Sequence, residues 1–186
     1  MNAHNYDLEF NVSGLLKQTT GASRTYHFET PDLQLYEESV AHQIVGDAGA
    51  LRIKTGILVQ GIVTANVEME CSRCLVPFVG KIEASFEEEF RPTVDIISGV
   101  SMHEIREGEY EGDYSWLTHD HMMNLTEVVR QAIIVNMPYN PICSPDCAGL
   151  CPECGADLNV EHCGHMTAKL DNRLSVLASL LEQLKD

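Results

Sequence analysis

Seven cysteines and one histidine are the residues whose types and spacing point most directly to chemistry. Cys71 and Cys74 form C-x2-C, and Cys143 and Cys147 form C-x3-C. Cys151-Pro152-Glu153-Cys154-Gly155 is a C-P-x-C-G knuckle, and Cys163 is followed two residues on by His165. Seven thiols and one imidazole make four ligand pairs. Eight ligands are two sets of four, the number that a closed tetrahedral zinc site takes. In the knuckle, proline fixes the backbone and glycine permits the turn that brings amides toward the thiolates. An odd thiol count fits a disulfide framework poorly, and a redox role is disfavoured because no βαβ pattern surrounds either C-x2-C pair. Cys71-Ser72-Arg73-Cys74 alone would be only moderate evidence for metal. It gains weight because the other pairs supply the ligands it lacks.

Other catalytic signals are sparse. No Gly-rich phosphate loop, nucleophile elbow or H-E-x-x-H occurs. His119-Asp120-His121 has the side chains of a metal or base site, but it lies in a polar loop before a helix and reads as a solvated pair. An enzyme is therefore not expected.

The elements that must position these residues follow from hydrophobic period. From Leu51 to Met69 the odd positions are mostly apolar and the even ones include Arg52, Lys54, Gln60, Asn66 and Glu68, a period of two. Gly56 and Gly61 offer places to bend or turn, and Gln60-Gly61 is a candidate break into two strands. After Pro77 the phase flips: Phe78, Ile82, Ala84, Phe86 and Phe90 are apolar. A flip across residues 71–77 means a turn, so Cys71 and Cys74 belong at a hairpin tip. Leu33–Val45 also reads as strand, and so does Tyr6–Val12. Residues 1–97 thus read as an antiparallel β unit. Residues 98–123 read as an acidic loop. Between Glu83 and Asp113 ten acids stand against Arg91 and Arg106, half of the net charge. Residues 124–186 begin with a helix capped by Asn124, with Glu127 at the capping-box position and Pro138 ending it. The zinc knuckles follow, then a short helix from Asp171 carrying Leu174, Leu177, Leu181 and Leu184. The expected class is α+β, with the helices and knuckles packing on the β unit as one compact domain.

Charge narrows function further. Twelve Lys and Arg face 28 Asp and Glu, for a net charge of -16. A general grip on nucleic acid by a basic face is not expected of such a chain. No run approaches 18 apolar residues, so no membrane-spanning helix is expected. Met1–Asp7 lacks the basic flank and apolar core of a signal peptide. A cytoplasmic protein is expected.

Cys71-Ser72-Arg73-Cys74-Leu75 in a hairpin, the acidic loop, a helix ending in proline, and the run from Cys143 through Cys147-Ala148-Gly149-Leu150-Cys151-Pro152-Glu153-Cys154-Gly155 to Asn159 together resemble the large ribosomal RNA subunit accumulation proteins, the YceD family. The tail Asp171-x-Arg173-Leu174 is similar too. The resemblance covers roughly residues 50 to 180. It implies a non-enzymatic role in producing or accumulating 23S ribosomal RNA. In the family the last pair is usually C-x-C, whereas Cys163-Gly164-His165 stands here. Histidine is a competent zinc ligand.

Two pairings satisfy four-coordinate zinc. In one, Cys71, Cys74, Cys143 and Cys147 hold one ion, stapling the hairpin to the C-terminal part, and Cys151, Cys154, Cys163 and His165 hold a second. In the rival, Cys143, Cys147, Cys151 and Cys154 hold a single ion. The first is preferred, because some family members keep the first pair without the later knuckle. The partner expected is the large-subunit precursor, reached through a basic ribosomal protein or through 23S RNA, with no membrane and no small-molecule substrate. The alternative is a zinc-ribbon adaptor for a basic protein unrelated to ribosomes. For direct RNA contact, Arg52, Lys54, Arg73 and Lys81 are the candidate positive patch.

Overall fold

The computed structural model describes residues 8–37, 39–101 and 114–165. The C-terminal helix expected from Asp171 and the acids at 104–113 lie outside them. The chain is α+β. The described residues fall into two compact units: 8–72 with 76–143, and 73–75 with 144–165.

The first unit is built on four antiparallel strands of equal length in sequence order. Writing β1 for Glu9–Asn11 and α1 for Ser13–Leu16, the sheet comprises β2 (Ser23–Tyr36), β3 (Ser39–Arg52), β4 (Ile57–Glu70) and β5 (Pro77–Phe90). The stretch 33–45 is therefore a hairpin rather than one strand. The turn that ends the 51–69 alternation falls at residues 53–56, where Ile53 N–H donates to the Gly56 carbonyl (3.0 Å). Gly61 does not break β4. It sits opposite Phe86, and a Cβ there would come within 2.3 Å of the Phe86 ring and 2.7 Å of the Asp47 carbonyl oxygen. Gly46 stands in the same relation to Phe28, and the two rings meet with centroids 6.4 Å apart. A glycine that looks like punctuation in sequence is here a seat for a cross-strand aromatic ring.

Alternation gives the sheet one apolar face. Ile57, Val59, Val63, Ala65 and Val67 of β4 are buried, and so are Ile82, Ala84, Phe86 and Phe90 of β5. Against this face lie α1 and a longer helix, α2 (Thr126–Asn136), which buries Val128, Val129, Ala132 and Ile133 and packs on β5. A short strand, β6 (Met122–Asn124), pairs antiparallel with β1, matching Glu9 to Asn124. The N-cap is Leu125, which makes no side-chain cap bond; Asn124, one residue earlier, accepts the Thr126 amide with its side chain (2.8 Å) instead. Glu127 does not complete the capping box: it turns to Arg130, which donates from Nε (2.7 Å) and Nη2 (2.5 Å). Arg130 also donates from Nη1 to the Leu35 carbonyl (2.5 Å), fastening α2 to the end of β2. An ion pair one turn along the helix thus displaces the cap interaction for this carboxylate.

Candidate metal centres

The β4–β5 turn is made for two thiols. Cys71 N–H donates to the Val76 carbonyl (3.1 Å), closing the loop, and Leu75 takes a left-handed φ of 60° to let it turn. Ser72 N–H donates to the Pro141 carbonyl (2.8 Å), so the segment after α2 is held beside the hairpin end. Cys71 and Cys74 are buried and Cys143 is exposed.

Within the second unit, a backbone frame surrounds Cys147. Its N–H closes a turn onto the Ser144 carbonyl (3.0 Å). The Arg73 guanidinium donates to the Cys147 carbonyl (2.9 Å), and the Arg73 carbonyl accepts the Leu150 amide (3.0 Å). Gly149 makes this approach possible: its φ is +75°, and a Cβ would stand 3.0 Å from the Arg73 carbonyl oxygen. Asn159 completes the frame. Its Oδ1 accepts the Ala148 amide (2.7 Å), and its Nδ2 donates toward the Cys147 sulfur (3.5 Å). Asp157 fixes Asn159 in turn, accepting both its backbone amide (2.9 Å) and its Nδ2 (2.7 Å).

The second knuckle is a tight loop of the same kind. Cys151 N–H donates to the Ala156 carbonyl and Gly155 N–H to the Cys151 carbonyl, both at 2.8 Å, with Gly155 at φ +74°. The amides of Glu153 and Cys154 point at the Cys151 sulfur and hold its thiol below the ordinary range. At Cys154 the Ala156 amide acts in the same sense, but the neighbouring Cys151 and Cys163 sulfurs and burial outweigh it, and this thiol is pushed up. Crowded sulfurs resist ionising together unless a cation neutralises them.

Two groups of ligand atoms result, one of Cys71, Cys74, Cys143 and Cys147 and one of Cys151, Cys154, Cys163 and His165. In each, the four atoms lie within 4.8 Å of one another, a spacing at which each group can hold a metal ion. Among the described residues no disulfide joins any of the seven cysteines. His119, Asp120 and His121 join neither group; His119 and Asp120 are exposed, and the His121 Nδ1 is buried without a partner.

The candidate positive patch does not assemble. Arg52 and Lys54 flank the start of β4, and Arg73 follows its end. Fourteen extended residues separate them by roughly 45 Å at about 3.3 Å per residue. Lys81 pairs with Glu83 (2.7 Å), and Arg73 is engaged with the Cys147 carbonyl.

Comparison with known proteins now bears on this geometry. The model of a family described as large ribosomal RNA subunit accumulation protein YceD matches residues 59–181, more than half of the chain. The chain belongs to the YceD family. An uncharacterized protein of Mycobacterium tuberculosis is 32% identical over 129 residues, covering 69% of this chain and 58% of the relative. The chloroplastic large ribosomal RNA subunit accumulation protein YCED homolog 1 of Arabidopsis thaliana is 24% identical over 173 residues, 84% of this chain and 53% of the relative. The protein of the same name from Zea mays is 28% identical over 117 residues, 53% of this chain and 40% of the relative. The chain thus spans less than two thirds of the length of these relatives. No solved structure matches it. The YceD match begins within β4 and includes all eight candidate ligands.

Proposed function

We propose that this YceD-family chain is a non-enzymatic factor supporting the synthesis or accumulation of 23S ribosomal RNA, and so of the large ribosomal subunit, with two structural zinc ions. The observation that carries the reading is the family match across the segment containing both ligand groups. Family and plant relatives are both named for large-subunit RNA accumulation.

The donor sets fit zinc. Four thiolates or three thiolates and an imidazole are the usual structural sets, and a tetrahedral sulfur shell at about 2.3 Å has edges of roughly 3.8 Å. Ligand atoms within 4.8 Å need only a small contraction to reach it. Zinc bound this way supplies cross-linking rather than reaction chemistry, because four protein ligands leave no open position for water. The grouping supports one ion on Cys71, Cys74, Cys143 and Cys147 and another on the later four residues. It disfavours a single ion on residues 143–154. No helix among the described residues is long and apolar enough to cross a membrane. We place the factor in the cytoplasm, with the large-subunit precursor as its partner.

The test is genetic and quantitative. Removing the chain from its host should lower 23S RNA relative to 16S RNA, and a plasmid copy should restore it. Cys154→Ser should restore it poorly while lowering zinc content. Unchanged 23S levels on removal would reject the ribosomal reading in favour of an adaptor for another basic protein.

A further inference from the structure

The chain is strongly acidic, yet the sheet gathers its cations at one end. In a meander of equal strands, the start of β2, the end of β3, the start of β4 and the end of β5 lie side by side. That end carries Lys17 just after α1, Arg24 on β2, Arg52 closing β3, Lys54 in the β3–β4 turn and Arg91 just after β5. Backbone bonds bring the parts together. Gly21 N–H donates to the Arg52 carbonyl (2.8 Å) and Arg52 N–H to the Ala22 carbonyl (2.8 Å). The Arg24 guanidinium lies beside Gly14 of α1, and Gly56 abuts Arg91. The other cations among the described residues are Arg73, Lys81 and Arg130, and the last two are paired with acids.

Acids stand at this end too, and most are engaged or distant: Glu87 accepts from Gln60 Nε2, and Glu88 is level with Arg24 but three strands away. Asp95 spends its carboxylate on its own turn, accepting Ser98 N–H (2.7 Å), Ser98 hydroxyl (2.7 Å) and Ile97 N–H (3.1 Å). Glu89 reaches Arg91 at a loose 3.7 Å, while Arg91 stacks over Trp116 at 6.0 Å and stays exposed. Asp120 is exposed and makes no ion pair among the described residues. Lys17, Arg24 and Lys54 are exposed and unpaired there too. Strands are about 4.8 Å apart, so the backbones of Arg24 and Arg91 stand about 15 Å apart across this end, Arg24 in phase with the buried Ala50 and Arg91 out of phase with the buried Phe90.

We infer that this end of the sheet is a surface for the phosphate backbone of RNA, formed by Lys17, Arg24, Lys54 and Arg91. Charge complementarity names the occupant: RNA presents closely spaced phosphates, and exposed cations spread around one end of the sheet can meet several of them. The acidity of the remaining surface repels a polyanion and so confines it to this one end. Arg52 has another task, donating from Nη1 to the Ile53 and Gly56 carbonyls (2.9 Å to the latter) and holding the turn that presents Lys54. This inference rests on the ribosomal reading above and adds the site of contact.

Fluorescence anisotropy of the full zinc-loaded chain with labelled 23S RNA fragments tests it. The quadruple variant Lys17→Gln, Arg24→Gln, Lys54→Gln, Arg91→Gln should bind about tenfold more weakly or worse, with a log–log salt slope shallower by about 3. Lys81→Gln, outside this end, should bind like the unaltered chain. Poly-glutamate, standing for an acidic protein, should compete poorly. Equal binding by the quadruple variant, or absence of RNA binding at 50 mM salt, would overturn the surface, as would preferential binding of poly-glutamate. Should the quadruple variant misfold by circular dichroism, Lys54→Gln alone, at a turn tip, should still weaken binding and flatten the slope by about 0.7; an unchanged slope would overturn the inference. The 23S-to-16S ratio after removal of the chain tests the ribosomal reading separately. A fall in that ratio, fully rescued by the quadruple variant, would leave that reading intact and overturn this one.

Discussion

Asn159 links a carboxylate, a backbone amide and a sulfur, and its two ends can be told apart by substitution. Asn159→Asp keeps an oxygen for the Ala148 amide but replaces the Nδ2 donor facing Cys147 with a charge. Groups that orient a metal ligand commonly matter tenfold to a hundredfold in affinity, so both Asn159→Asp and Asn159→Ala should release zinc to a chelator about that much faster. If Asn159→Asp held zinc like the unaltered chain, the sulfur contact would be incidental. Glu127 offers a pH test. Hydrogen bonds from Arg130 hold its carboxyl below the ordinary value of 4.5, against a smaller opposing effect of burial. A carboxylate with a lowered folded pKa stabilises the fold above its unfolded pKa and loses that contribution as pH falls through the folded value. The difference in Tm between the chain and Glu127→Gln should therefore be present at neutral pH and close below the ordinary carboxylate range. A gap constant with pH would mean that packing, and not ionisation, is the source. The eight candidate ligands were legible because metal binding constrains residue type and spacing together. Asn159, Asp157 and Gly149 were not, since their roles depend on which carbonyl or sulfur the fold brings beside them.

The strands were legible for a comparable reason. Alternation from Leu51 to Met69, and its phase flip across 71–77, are direct consequences of one buried sheet face and a hairpin. Of the two candidate glycines, Gly56 lies in the turn and Gly61 does not break its strand, because glycine has two uses in a sheet and only the facing residue tells them apart. Gly61→Val would drive Cβ into the Phe86 ring and the Asp47 carbonyl, and should cost about 1–3 kcal/mol by overpacking. Gly49→Ala on the neighbouring strand meets only the Gln60 carbonyl at 3.6 Å and should leave stability within about 0.5 kcal/mol of its starting value, or raise it slightly. Urea unfolding of both variants checks this, and equal losses would show that the ring seat is not the cause. Tyr6–Val12 reads as strand and contains β1, but β6 and its pairing with β1 escaped the sequence reading, since two short segments so far apart carry too few alternations to announce a partner.

At the scale of the molecule the two units are stabilised by different means. The first has the apolar cluster from Leu8 to Ile133. Among the described residues of the second, the buried side chains are the thiols of Cys74, Cys147 and Cys151. On the zinc reading proposed above, a unit with so little apolar core would take its stability from the metal. Native mass spectrometry should find two zinc ions per chain. On chelation, amide exchange should become fast across 144–165 while β4 and β5 stay protected. Retained protection of 144–165 without metal would show that its fold has another source. The strand order has a consequence in time as well. β2 to β5 pair only with sequence neighbours, so each hairpin can close soon after its second strand leaves the ribosome. β1 must wait for Asn124, its partner across the chain from Glu9. At ordinary rates of translation that delay is roughly 6 to 20 seconds, during which the sheet can form while its N-terminal strand has no β6 to pair with.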